Sequence, residues 1–219
     1  MADLTYRTCN FLLKKMLNTL SEWQVEGEHN VPLDGPVIIA SNHLSNIDPA
    51  LLACSIPRRL NFVAKRGLFK PLASNFFYAY GAFPMNRDGR DIEAFLWARK
   101  LLNQNRAMVF FPEAQRNPVG GMKRAFSGVA LLGLRTQAPI IPVGITGTEH
   151  IGPPWQIAFP TGKLKVRIGP AINLPAVEGP MDRPVLESFQ DEVMAQIASL
   201  LPEPYQGVYS LNQPQTDKS

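Results

Sequence analysis

A histidine and an aspartate, His43 and Asp48, lie five residues apart in the segment NHLSNID at positions 42–48. A carboxylate bound to one ring nitrogen of a histidine fixes the tautomer of the imidazole and stabilises its protonated form, while the other nitrogen removes a proton. A covalent mechanism would also need an activated nucleophile, but the sequence has no Gly-x-Ser-x-Gly elbow and gives Ser41 and Ser45 no further support. Direct deprotonation of a substrate hydroxyl is the simpler hypothesis.

The pair lies at a predicted junction between a strand and a helix. The apolar run VIIA at 37–40 predicts a buried strand, and Asp48 followed by Pro49 is a typical helix start. On a regular helix, residues five apart point in different directions, so these side chains meet only if the segment between them turns. A strand-to-helix junction permits that turn, and α/β folds carry reactive groups at such junctions. Asp48 thus has two interpretations, a helix cap and a catalytic partner.

Strands and helices alternate along the rest of the chain. Further strands are predicted at 60–64, 81–85, 107–111, 140–145 and 163–168. Helices are predicted at 4–24, 49–54, 67–80, 91–104, 123–135 and 184–200. This alternation predicts a single α/β domain with a largely parallel central sheet flanked by helices. Pro142 would lie at a sheet edge or a bulge, because proline cannot donate to a strand ladder.

Length and composition predict one large domain, or a domain with a small appendage. The chain has 219 residues, of which 45% are hydrophobic and 18% charged. We predict an N-terminal amphipathic helix within 1–25, a main domain at 26–201 and a flexible tail at 202–219. The net charge of +4 suggests anionic partners. Because dense Lys/Arg runs are absent, nucleic acid is not an expected partner.

The cysteines and histidines give no sign of a metal site. Cys9 and Cys54 form no CxxC pair, and the three histidines are scattered, so no metal or other cofactor is expected. This cysteine usage fits a reducing, cytosolic compartment. The sequence shows no signal-peptide pattern and no apolar run near the ~18–20 residues that a transmembrane helix needs.

Residues 4–24 predict a helix with two distinct faces. Apolar residues recur every three or four positions, while Arg7, Lys14 and Lys15 lie largely elsewhere around the helix. One interpretation is a helix docked on the core. The other is an interfacial helix whose cations meet anionic lipid while its apolar side chains enter the acyl boundary.

Two arginines follow predicted strands. Arg87 comes two positions after the strand 81–85, and Arg116 follows the strand 107–111, three residues after Glu113. Guanidinium groups bind phosphate monoesters in a bidentate manner. Each arginine alone is also explained as a surface ion-pair partner, so the phosphate hypothesis needs further support.

That support comes from four sequence blocks in a fixed order: NHLSNID (42–48), GAFPMNR (81–87), FPEAQR (111–116) and IPV (141–143). In this order they resemble the glycerolipid acyltransferases, and most closely the 1-acylglycerol-3-phosphate (lysophosphatidate) acyltransferases, whose first block is a His-x4-Asp motif. The segment GITGTE at 144–149 and the pattern Tyr205-x-Gly-Val-Tyr209 are also similar to that group.

The resemblance implies a reaction and a set of roles. A fatty acyl group would pass from acyl-CoA or acyl-carrier protein to the free hydroxyl of a lysophosphatidate-type acceptor, without an acyl-enzyme. His43 would be the general base and Asp48 its orienting partner. Arg87 would bind the acceptor's phosphate, with Lys65 as a second ligand. The positions assigned to substrate binding are Asn42, Lys65, Arg87, Glu113, Arg116 and Pro142.

Two departures from the family pattern concern the acceptor. Ala114-Gln115 replace the usual Gly-Thr of the third block, and Asn86 stands where Asp is frequent. Another lysophospholipid or glycerol 3-phosphate is therefore an alternative acceptor. Because acceptor and product are lipids, the resemblance favours the interfacial interpretation of residues 4–24 and a peripheral protein on the cytoplasmic face of a membrane. A thioester hydrolase and a non-catalytic lipid-binding module remain alternatives.

Overall fold

A seven-stranded sheet forms the centre of the computed structural model, which describes residues 2–86, 91–177, 179 and 181–210. The strands are β1 (Ser21–Glu26), β2 (Val37–Ser41), β3 (Leu60–Lys65), β4 (Ala82–Met85), β5 (Ala107–Phe110), β6 (Ile140–Thr146) and β7 (Gly162–Ile168). Their order in the sheet is β1-β7-β6-β2-β5-β3-β4. Among these paired strands only β6 and β7 run antiparallel. The predicted α/β fold with a largely parallel sheet is confirmed.

Helices cover both faces of the sheet. They are α1 (Ala2–Leu20), α2 (Asp48–Ser55), α3 (Ser74–Tyr80), α4 (Ile92–Leu102), α5 (Gly128–Thr136), α6 (Arg183–Ser199) and α7 (Glu203–Gln206). Successive side chains of a strand face opposite sides, so Val37 and Ile39 of β2 join the apolar cluster that includes α1 and α2 residues. Ile38 and Ala40 join the cluster of α4, α5 and α6. All of β2 is buried, as expected for a strand covered on both faces.

The first helix ends four residues earlier than the predicted span of 4–24. Residues 21–26 form the edge strand β1, which pairs with β7 in parallel. Trp23 and Val25 are part-buried against the core, while Glu26 on the outer side pairs with Lys165 at 2.5 Å and with Arg167 at 3.1 Å. The alternation of part-buried and exposed residues has the period of a strand, and strand pairing overrides the helical periodicity that continues from α1.

Helix α1 docks on the core through one face. Tyr6, Leu13 and Leu17 are buried, whereas Phe11 and Leu12 are exposed on the other side. The docked interpretation is thus confirmed for the inner face, and the interfacial interpretation stays a prediction for the outer face. No helix within the described ranges has the length and apolar character needed to cross a membrane.

Pro142 lies in an interior strand, because β6 is flanked by β7 and β2. The pairing of β7 with β6 stops at Ile168 opposite Val143, and a single bridge joins Ile172 to Ile140. The chain has one more residue between Ile168 and Ile172 than between Ile140 and Val143, so the neighbouring segment bulges opposite the proline. The bulge alternative of the sequence prediction accounts for the proline, and the sheet-edge alternative is wrong.

The segment predicted as a loosely held tail from residue 202 begins with ordered structure. Residues 203–206 form α7, and Gly207–Tyr209 form a short 3-10 helix. The backbone of Met122 holds this segment: its N–H donates to the carbonyl of Tyr205 at 2.9 Å, and its carbonyl accepts the N–H of Val208 at 3.0 Å. The prediction of flexibility is wrong for this part, while residues 211–219 lie outside the described residues.

Candidate active site

The segment between β2 and α2 turns so that His43 and Asp48 meet. Nδ1 of His43 lies 2.8 Å from Oδ2 of Asp48. The same carboxylate oxygen accepts the backbone N–H groups of Leu44 at 2.7 Å and Ser45 at 2.8 Å. Asp48 is the first residue of α2, but its side chain makes no hydrogen bond that caps the helix. The interpretation of Asp48 as a helix cap alone is therefore wrong, because its carboxylate holds the preceding turn.

The second oxygen of Asp48 is bound by a residue that sequence reasoning missed. Thr148, which follows β6, donates its hydroxyl to Oδ1 at 2.7 Å, and both side chains are fully buried. Four hydrogen-bond contacts thus surround a carboxylate that has no access to water. The resemblance extended through GITGTE, but nothing in the sequence distinguished this hydroxyl from that of Thr146.

The imidazole of His43 is held on one side and open on the other. Its ring stacks on Phe111 with centroids 4.0 Å apart and planes 20° apart. Asp48 is an acceptor, so Nδ1 carries the hydrogen and Nε2 has the free lone pair. Within the described residues, the bond to Asp48 is the only hydrogen bond of the imidazole. The side chain is 16% exposed, so Nε2 can meet a substrate hydroxyl.

The loop after β5 holds the main chain of His43 from both sides. Glu113 accepts the N–H of His43 through Oε1 at 3.3 Å, and Asn117 donates its own N–H to the His43 carbonyl at 2.7 Å. Oε2 of Glu113 accepts the N–H of Lys123 at 2.9 Å. Burial raises the pKa of Glu113, and these hydrogen bonds partly offset that rise. Sequence reasoning missed Asn117, which carries no motif signal.

The side chain of Asn42 is bonded to the neighbouring strand. Its Nδ2 donates to the carbonyl of Ile145 at 2.9 Å, and its Oδ1 accepts the N–H of Ile145 at 2.8 Å. Asn42 is buried, so these contacts lock the end of β2 to β6 directly before His43. The described contacts of both Asn42 and Glu113 are therefore with protein backbone, although both positions were predicted to bind substrate.

Of the remaining predicted positions the structure describes three, and among the described residues none of the three has a hydrogen bond to His43. Lys65 ends β3 beside Met85, and its side chain is exposed. Arg116 is exposed in the loop after β5, and Pro142 is buried in β6. Arg87, two positions after the end of β4, lies outside the described residues. Strands β2 to β6 share one direction, so Lys65, which ends β3, and Arg116, which follows β5, lie beyond the same edge of the sheet as the His43 turn.

This fold and this pair are suited to one kind of enzyme chemistry. A buried carboxylate orients an imidazole whose second nitrogen is open, at the carboxyl ends of parallel strands, which is the arrangement of a general base acting on a hydroxyl or on water. The described part of the chain has no group of three or more His, Cys, Asp or Glu side chains that could hold a metal ion.

Comparison with known proteins narrows this class to one family. The family model described as Acyltransferase matches residues 22–146, which is more than half of the chain. The chain belongs to the acyltransferase family, and it is therefore an enzyme of that kind. The resemblance seen in the four sequence blocks is confirmed.

Relatives and a solved structure agree with this assignment. The chain is 26% identical over 171 residues to the 1-acyl-sn-glycerol-3-phosphate acyltransferase of Bacillus subtilis, covering 77% of this chain and 82% of that protein. It is 28% identical over 172 residues to the bovine 1-acyl-sn-glycerol-3-phosphate acyltransferase alpha, covering 74% of this chain but only 58% of the relative. The crystal structure of the 1-acyl-sn-glycerophosphate (LPA) acyltransferase PlsC from Thermotoga maritima shares the fold, with a TM-score of 0.70 and 24% identity over 89% of this chain and 78% of that chain.

Proposed function

We propose that this enzyme transfers a fatty acyl group from a thioester, acyl-CoA or acyl-carrier protein, to the free hydroxyl of lysophosphatidate, giving phosphatidate. The observation that carries the proposal is the open Nε2 of His43, held in the basic tautomer by Asp48. Nε2 removes the hydroxyl proton as the oxygen attacks the thioester carbonyl, the C–S bond then breaks, and the leaving thiolate takes that proton from His43 to give the free thiol. General-base assistance of this kind contributes about 10²–10⁴ in rate. The names of the relatives support the acceptor.

The environment of the nearby nucleophiles supports direct attack without an acyl-enzyme. Ser41 and Ser45 are buried, and their hydroxyls donate to the backbone carbonyls of Asn42 and Ile151. Cys54 is also buried, and desolvation raises the pKa of its thiol to about 12. A thiol with that pKa is protonated at neutral pH and a poor nucleophile. The substrate hydroxyl is then the group that His43 activates.

Exposed cations beside the site favour a phosphate-bearing acceptor. Lys65 and Arg116 are exposed at the carboxyl ends of neighbouring parallel strands, and Arg87 follows the next strand in the chain. Arginine and lysine at one edge of the sheet suit a phosphate monoester, which carries up to two negative charges. We assign the acceptor's phosphate to Arg87, with Lys65 and Arg116 as further ligands.

Two surfaces support contact with a bilayer, where the acceptor resides. The outer face of α1 exposes Phe11 and Leu12 together with Lys14 and Lys15. Such a mixture of cations and large apolar side chains binds the interface of anionic membranes.

The second surface is formed by the connections that surround His43. Leu72 after β3 is fully exposed, Val119 after β5 is 91% exposed and Trp155 after β6 is 65% exposed. These connections leave the same edge of the sheet as the His43 turn, because β2, β3, β5 and β6 run parallel. We infer that this edge faces the cytoplasmic leaflet, so that the hydroxyl of a membrane lipid reaches Nε2.

One assay tests the reaction and its alternatives. Thiol release is measured with a panel of lysolipids and glycerol 3-phosphate, each with acyl-CoA and with acyl-carrier protein. We expect release that depends on lysophosphatidate and a loss of at least about 10²-fold in His43→Ala, with an unchanged melting temperature. Thioester consumption without any acceptor would instead identify a hydrolase. Wild-type rates in His43→Ala would refute the role of the base.

A further inference from the structure

The pattern Tyr205-x-Gly-Val-Tyr209 has no role in the reaction described above, yet it contacts the loop that holds His43. Residues 203–209, here called the C-terminal strap, bind both sides of a short stretch of that loop. The N–H of Met122 donates to the carbonyl of Tyr205 at 2.9 Å, and the N–H of Val208 donates to the carbonyl of Met122 at 3.0 Å. The N–H of Ala125 donates to the hydroxyl of Tyr209 at 3.1 Å.

Between these two anchored positions lies Lys123, whose N–H binds Glu113. That bond is 2.9 Å long and goes to Oε2, while Oε1 of the same carboxylate accepts the N–H of His43. The strap therefore fixes a backbone donor that orients Glu113, and Glu113 in turn fixes the main chain of the general base. Each step is a directed hydrogen bond between groups that are buried or part-buried.

A second route from the strap ends on the carbonyl of the same residue. The side chain of Asn117 donates to the carbonyls of Gly120 and Gly121, and its backbone N–H donates to His43 at 2.7 Å. Gly121 lies directly against Gly207, because a Cβ on Gly121 would come 3.5 Å from the Cα of Gly207. The two residues that bind the His43 backbone, Glu113 and Asn117, are thus each held by a part of the loop that contacts the strap.

Gly207 shows how closely the strap and the loop fit. A Cβ at this position would overlap the backbone nitrogen and oxygen of Met122, and its φ of 55° lies in the left-handed region. Only glycine allows the two backbones to approach in this way. The contact therefore fixes the position of Met122 as well as covering apolar surface.

We propose that the C-terminal strap is a positioning element of the active site, acting on His43 through Lys123 and Glu113. Tyr209 is the positioning residue whose side chain can be altered without disturbing the backbone contacts. This proposal rests on the role of His43 as base given above. A displacement of a catalytic group by about 1 Å costs up to about 10² in rate, so loss of the Tyr209 hydroxyl has a measurable effect on turnover.

The test compares Tyr209→Phe with Tyr6→Phe. The hydroxyl of Tyr6 accepts the N–H of Leu60, also at 3.1 Å, at the amino end of β3 and away from His43. Both changes remove a hydroxyl that accepts one backbone N–H, and the Tyr6 hydroxyl also has a hydrogen bond with Asn10, so Tyr6→Phe is the stricter control for stability. Tyr209→Phe should lower kcat by about five- to twentyfold with the acceptor KM unchanged. An effect on kcat no larger than that of Tyr6→Phe would overturn the proposal.

Two further readouts separate positioning from stability. Tyr209→Phe and Glu113→Gln should be non-additive in kcat, because both act on the same bond to His43; full additivity would contradict the proposed route. Selective ¹⁵N-histidine labelling gives three amide signals, from His29, His43 and His150. The His43 signal should shift in Tyr209→Phe and not in Tyr6→Phe, and an unmoved signal would overturn the proposal even if the substrate assignment were wrong.

Discussion

Asp48→Asn should lower kcat by about 30- to 1,000-fold, because it removes the negative charge beside His43. The loss should be no larger, because the hydrogen bonds around residue 48 preserve the tautomer of His43. Oδ2 accepts the backbone N–H groups of Leu44 and Ser45 as well as the ring of His43. These two fixed donors select the amide oxygen of an asparagine for the same place, so Nδ1–H keeps its acceptor. The amide nitrogen then faces Thr148, whose hydroxyl can rotate and accept a hydrogen bond.

The size of the loss follows from the charge alone. Two unit charges about 4 Å apart interact by about 4 kcal/mol at an effective dielectric constant near 20. The dipole of the amide retains part of this attraction, which leaves about 2–4 kcal/mol of lost stabilisation for the imidazolium that forms as the hydroxyl proton moves. Since about 1.4 kcal/mol corresponds to tenfold in rate, the stated range follows.

Initial rates of thiol release at saturating thioester and lysolipid give kcat, and thermal unfolding of the same samples checks the fold. Thr148→Val is the matched partner, because it removes the hydroxyl that would accept the new amide N–H. The double variant should therefore lose more than the product of the single losses. Two results for Asp48→Asn alone would refute the reasoning: a loss near 10⁴-fold, as in a serine-protease triad with the wrong tautomer, or a rate within threefold of wild type.

Three further predictions concern the acceptor, the membrane and the third block. Arg87→Ala should raise the KM for the lysolipid at least about tenfold with kcat nearly unchanged, whereas the exposed Arg99→Ala should not, and a pure loss of kcat would argue against phosphate binding. Phe11→Glu combined with Leu72→Glu should weaken flotation with anionic vesicles at least fivefold, by about 1 kcal/mol or more; unchanged flotation would contradict the proposed surfaces. Ala114→Gly should raise the unfolding free energy by about 0.5–1 kcal/mol, because Ala114 has a φ of 54° that favours glycine, and a lower melting temperature would contradict this.

The sequence predicted those parts of the site that lie within one connection. His43 and Asp48 are joined by a single turn, so their contact needed only the strand end and the helix start that the sequence indicates. Thr148, which binds Asp48, lies 100 positions after it in the chain. Asn117, which binds the backbone of His43, lies 74 positions after it. Their roles depend on which strands are neighbours, and strand order is set by packing between distant segments. No local pattern in the sequence contains that information.

The predicted end of α1 and the predicted start of the flexible tail are wrong for a related reason. The periodic residues of α1 continue past Leu20, but pairing of Ser21–Glu26 with β7 determines the structure there. The composition after Pro202 predicts a flexible tail, yet residues 203–209 are held by backbone contacts to Met122. In both places a distant partner decides the conformation, so local propensity alone gives the wrong boundary.

The order of the strands supports the proposal that residues near the acceptor can change while His43 stays in place. The strand that leads into the His43 turn, β2, lies between β6 and β5. The end of β6 supplies Thr148 for Asp48, and the connection after β5 supplies Phe111 and Glu113 for His43.

Within that connection two residues that bind the main chain of His43 flank three residues that do not. Glu113 and Asn117 are buried and bound to its main chain, whereas residues 114–116 between them are exposed. The exposed residues include the Ala-Gln pair that departs from the family pattern. If these exposed residues meet the acceptor's headgroup, as proposed for Arg116, substitutions at 114–116 would change that contact without moving the imidazole, because Glu113 and Asn117 hold the main chain of His43.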